Sequence, residues 1–156
     1  MFSELNCKVI PLAKVPKAAV DKAGLTREKR LVLVVDDEHI IADTLSVILS
    51  KNGFAVMTAY DGESALELAR ISAPDLLLSD VMLGPGMDGT QLAIQVTTDL
   101  PDCKVLLFSG HAATAVLLAS ARQQGHKFTL MAKPVHPRDL LARISETLTL
   151  EQDLAS

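Results

Sequence analysis

Cysteine is nearly absent: Cys7 and Cys103 are the only two in 156 residues. They stand far apart and lack metal-ligand spacing, which excludes a disulfide framework. Free thiols suit a reducing compartment, so a cytoplasmic location is expected. Long apolar runs are also missing. Although 49% of the residues are hydrophobic, none of the runs approaches the roughly 18 residues needed to cross a membrane. A secretory signal is excluded as well, because Glu4, Asn6 and Lys8 interrupt the N-terminus and no apolar stretch follows. Aromatic side chains are scarce, and Phe2 is the only one in the first 30 residues. That scarcity weakens a nucleic-acid reading of the four lysines in the first 22 residues.

The chain is long enough for one domain with a real core. Its net charge of −4 hides a division. Residues 1–30 carry seven Lys/Arg against three Asp/Glu, whereas residues 31–156 carry eight against sixteen. A basic arm therefore precedes an acidic domain. The arm reads as a solvated leader or linker, with contact to nucleic acid or a membrane surface as the alternative. The acidic domain itself argues against direct DNA binding.

From Leu31 onward the pattern becomes regular. The run LVLVV (31–35) is apolar throughout and rich in β-branched residues, as in a strand buried on both faces. The next helix puts Ile41, Leu45, Ile48 and Leu49 on one side and stops near Gly53. Strand FAVMTA (54–59), helix 61–71, strand DLLLS (75–79), helix 91–98, strand KVLLFS (104–109), helix 112–125 and strand FTLMA (128–132) follow. A last helix starts after Pro137 and buries Leu140, Leu141, Ile144 and Leu148. In the arm, Lys17 to Ala23 suits a short helix ending at Gly24. Five βα units of this kind imply an α/β fold: a doubly wound sandwich around a central five-stranded parallel sheet.

In such a sheet, ligands bind beyond the carboxyl ends of the strands. Those ends carry Asp36, Asp37 and Glu38 after the first strand, Asp80 after the third, Ser109 after the fourth and Lys133-Pro134 after the fifth. Each residue alone has a plain reading: a helix cap, an Asx-turn, a turn serine, a surface lysine. Their joint placement is far more specific. Clustered aspartates repel one another, and a hard divalent cation such as magnesium offsets that repulsion. An ammonium and a hydroxyl beside the same carboxylate stabilise a transferring phosphoryl group. Asp80 is then the nucleophile, and the product is an aspartyl phosphate.

The stretches VLVVDDE, LLLSDVML followed by GMDG, VLLFSG and MAKPV resemble the receiver domain of two-component response regulators. The resemblance spans roughly residues 31–150, which leaves 1–30 as arm or linker and 151–156 as a C-terminal tail. It implies a flavodoxin-like (βα)5 fold, with Asp80 accepting a phosphoryl group from a phosphohistidine. It further implies Mg2+ held by Asp37, Asp80 and the backbone carbonyl of Met82, with Asp36 helping through water. Ser109 and Lys133 would bind the phosphoryl group, and the Lys133-Pro134 bond would be cis. The implied partners are a histidine kinase or histidine phosphotransfer protein and an unidentified downstream protein. Direct nucleic-acid binding and a membrane span are not expected, and a homodimer is left open.

Three departures from the family pattern matter. The Asp80-to-Gly89 loop is one residue longer than is common, closer to the receivers of hybrid kinases, and runs Leu-Gly-Pro-Gly-Met. Leu130 stands where an aromatic switch residue is usual, with Phe128 two residues earlier. No output domain follows, so signalling through a binding surface or onward phosphotransfer is expected, and no catalysis beyond self-phosphorylation and hydrolysis. The resemblance also implies that the side chains of Met82 and His111 would stand where they can tune that hydrolysis. Rival readings are a phosphorylation-independent scaffold and an aspartyl-nucleophile phosphatase, although DDEH does not match the Asp-x-Asp of the latter.

Overall fold

The computed structural model describes residues 29–110, 114–126 and 128–155. The short helix expected at 17–23, the basic arm up to residue 28 and His111 lie outside the described residues.

Five strands form one parallel sheet: β1 (Leu31–Val35), β2 (Ala55–Ala59), β3 (Leu76–Asp80), β4 (Lys104–Ser109) and β5 (Thr129–Ala132). The spatial order is β2-β1-β3-β4-β5. Between and after them run α1 (His39–Lys51), α2 (Gly62–Ser72), α3 (Gly89–Asp99), α4 (Thr114–Gln123) and α5 (Pro137–Ala155). The flavodoxin-like (βα)5 architecture expected from the sequence is thus the observed one. The helix α5 runs past the boundary drawn at residue 150.

The apolar strands read as unbroken runs because both faces of the sheet are covered. Successive side chains point to opposite faces. Leu33, Val35, Leu77, Val105 and Leu107 enter one core with Leu66, Leu92 and Val96 of α2 and α3. Val32, Val34, Leu76, Leu78, Leu106 and Phe108 enter the other with Ala42 and Leu49 of α1 and Leu140, Ile144 and Leu148 of α5. All five residues of β1 and of β3 are buried. Fully burying one such aliphatic side chain stabilises by about 1.5–3 kcal/mol, so these central strands are the rigid part of the molecule.

The helix α1 differs from its sequence pattern by a small rotation. Ala42 and Leu49 are buried, while Ile41, Leu45 and Ile48 are half-buried. Those three, with exposed Ile40, line an open groove of about 300 Å3 whose far wall is Val135, Pro137 and Leu140. The expected crowding on α4 also resolves simply: Leu117 and Leu118 pack on the core, and Val116 stays 72% exposed.

Strand order reverses between β1 and β3: the chain leaves β1 for β2 on one side and returns to β3 on the other. The carboxyl ends of β1 and β3 flank that switch, and it is there that such sheets leave a crevice.

Candidate phosphoryl-accepting site

The strand ladders continue past the regular strands and set the site's geometry. Asp36 N–H donates to Ala59 O at 3.3 Å, Val81 N–H to Phe108 O at 3.0 Å and Lys133 N–H to Ser109 O at 3.0 Å. Asp80 closes β3 opposite Phe108, and Ser109 closes β4 opposite Ala132. The residues expected to act together are therefore held by backbone bonds of a rigid sheet. This is the least mobile way to support a site.

Carboxylate oxygens of Asp36, Asp37 and Asp80 lie within 4.8 Å of one another. Asp36 is fully buried and Asp80 nearly so, whereas Asp37 is exposed. Lys133 Nζ donates to Asp80 Oδ2 at 2.8 Å and to Asp36 Oδ2 at 3.2 Å. Two further donors hold the remaining oxygens: Glu38 N–H on Asp36 Oδ1 at 2.9 Å and Met82 N–H on Asp80 Oδ1 at 3.1 Å. Ser109 is buried at the end of the neighbouring strand. The Lys133-Pro134 peptide is cis.

One ammonium faces three carboxylates, so negative charge is in excess. Burial pushes the Asp36 carboxyl above its ordinary range; the charge of Asp80 adds to this, against the Glu38 N–H and Lys133. For Lys133, burial alone would depress the ammonium. The hydrogen bonds and charges of Asp80 and Asp36 outweigh it and hold the pKa above its usual value. The donor set fits a hard divalent cation: it is all oxygen, it carries surplus negative charge, and Asp37 faces water.

Sequence reasoning missed one neighbour. Lys133 Nζ lies over the buried Phe108 ring, 5.0 Å from its centroid. Phe108 is legible only as a strand residue; its contact with Lys133 needs the β4–β5 register. Leu130, standing where an aromatic residue is usual, is 39% exposed on edge strand β5, and Phe128 instead stacks on His126. The side chain of Met82 is 38% exposed at the rim.

Comparison with known proteins agrees with this geometry. The response regulator receiver domain model matches residues 32–145. A CheY-like response regulator receiver domain protein from Methanospirillum hungatei JF-1 is 31% identical. The match covers 82% of this chain and 99% of that one, with a TM-score of 0.72. The receiver domain of NtrX from Brucella abortus is 32% identical, covering 76% and 98%, with a TM-score of 0.67. The chemotaxis protein CheY4 of Vibrio cholerae is 26% identical, covering 76% and 98%, with a TM-score of 0.67. With this fold, this cluster of acids and this match over most of its length, the chain belongs to the response regulator receiver domain family.

Proposed function

We propose that Asp80 is the phosphoacceptor through which this receiver domain works in two-component signalling. The observation that carries the reading is the pair of contacts on Asp80: Lys133 Nζ at 2.8 Å and the Met82 N–H at 3.1 Å. A carboxylate oxygen of Asp80 attacks the phosphorus of a phosphohistidine on a histidine kinase or phosphotransfer protein. An O–P bond forms as the P–N bond breaks, and the imidazole leaves with a proton. Lys133 then exchanges its Asp80 oxygen for a phosphoryl oxygen, and Ser109 donates its hydroxyl to another. Bound at Asp37, Asp80 and the Met82 carbonyl, with Asp36 acting through water, Mg2+ would neutralise charge on the phosphoryl oxygens. The exposed Met82 side chain offers no hydrogen bond to an attacking water, which favours slow hydrolysis; His111 is the second residue assigned to that step.

Receiver domains interact with histidine kinases or phosphotransfer proteins. For this chain the cognate donor, the downstream protein and a homodimer are proposals, as is a cytoplasmic location. Among the described residues, no helix is long and apolar enough to cross a membrane. Incubation with acetyl phosphate separates the three readings. A magnesium-dependent gain of one phosphoryl group, lost in Asp80→Asn, supports the phosphoacceptor. No adduct supports a scaffold, and continuous phosphate release without a lasting adduct supports a phosphatase.

A further inference from the structure

The loop from Met82 to Asp88 carries the extra residue, and its path is fixed from two sides. Gly84 and Gly86 both have positive φ, 80° and 92°. A Cβ built on Gly84 would stand 3.4 Å from Asp37 Oδ2, so the loop backbone walls that carboxylate. One built on Gly86 would stand 2.8 Å from Glu63 Oε2. Two carboxylates thus flank one turn, but only Asp37 belongs to the acidic cluster. Glu63 sits in the first turn of α2 and accepts a hydrogen bond from Met87 N–H at 3.0 Å. The same junction is tight at its neighbour: a Cβ on Gly62 would press on Met87 Cβ and Met87 O, both at 2.9 Å.

We propose that Glu63 is a positioning residue for the metal site, holding the loop closed against Asp37 through Met87. The proposal rests on the reading that the aspartate cluster takes Mg2+. Gly84 and Gly86 make the loop conformationally free, so holding it in one path costs entropy. The Glu63 oxygen on Met87 N–H offsets part of that cost with a hydrogen bond. Without it, fewer molecules carry the loop in the binding-competent path, and apparent affinity falls by that fraction. Asp80, Lys133 and Ser109 stand on strands and keep their places.

The test is a Mg2+ titration of the full chain, followed by backbone amide chemical shifts. It is paired with acetyl phosphate labelling at saturating Mg2+. Glu63→Ala is expected to weaken Mg2+ binding on the order of tenfold, the low end for groups that orient metal ligands. Labelling at saturating Mg2+ should keep the wild-type rate. Glu63→Gln keeps the acceptor oxygen without the charge and should restore most of the affinity. A Glu63→Ala variant that binds Mg2+ as tightly as the wild type overturns the proposal. So does a Glu63→Gln variant as weak as Glu63→Ala, because the charge alone would then explain the effect. A wild type that binds no Mg2+ overturns the metal reading itself, and this proposal with it.

Discussion

Among the described residues, Asp36 is the carboxylate with the least access to water, and the effect of its burial on folding has a sign. Its pKa is raised in the folded protein above the ordinary 3.8. A raised acid favours folding fully below its unfolded value and loses that contribution as pH rises through the folded value. At neutral pH, charged Asp36 therefore opposes folding. Asp36→Asn should raise the urea midpoint of the metal-free protein at pH 7, with the gain shrinking in acid. A lower midpoint would contradict this. The same rule gives Lys133 the opposite effect at neutral pH: its pKa is raised above 10.5, so its contribution is fully present below that value and is lost only in stronger alkali. At the rim, Met82→Asn supplies an amide able to hold water and should speed loss of the phosphoryl group from Asp80. A time course of phosphate release checks it, and an unchanged rate would remove Met82 from hydrolysis.

At the scale of elements, the join of β3 to α3 is the tightest point. Gly89 N–H donates to Val81 O at 2.7 Å, and a Cβ at Gly89 would collide with the Asp80 backbone carbonyl. Gly89→Ala should cost about 1–3 kcal/mol, as overpacking does. It should also slow labelling, because the residue that must yield is Asp80; a denaturant midpoint and a labelling rate measure the two effects. The strands were legible because their sheet is covered on both faces, which leaves LVLVV and VLLF without polar interruption. Their ends were less so. The strand β3 runs from Leu76 to Asp80, one residue later at each end than the sequence reading. The helix α3 starts at Gly89, two residues before the sequence reading, although Asp88 and Gln91 form the capping box that marks it. Its glycine obscured that mark. The contact between Glu63 and Met87 joins residues 24 apart in sequence, and no local pattern encodes it.

Across the whole molecule, the four strand ends converge because the sheet is parallel and its order reverses beside β1. Asp36, Asp37, Asp80, Ser109 and Lys133 could be chosen from sequence on that rule alone. What that rule does not give is which carboxylate is buried and which oxygens Lys133 holds. The excess of acid should make the fold responsive to magnesium. At a hundredfold excess over its dissociation constant, a ligand bound only by the folded state adds about 2.7 kcal/mol. Magnesium should raise the wild-type unfolding midpoint on this scale and leave Asp37→Asn nearly unmoved; an equal rise in both would place the metal elsewhere. The central claim, that Asp80 takes the phosphoryl group, is tested most directly by trapping it. Borohydride reduces an aspartyl phosphate to homoserine, which peptide mass spectrometry locates. After acetyl phosphate and magnesium, homoserine should appear at position 80 alone; its appearance at 36 or 37, or at no position, would contradict the account.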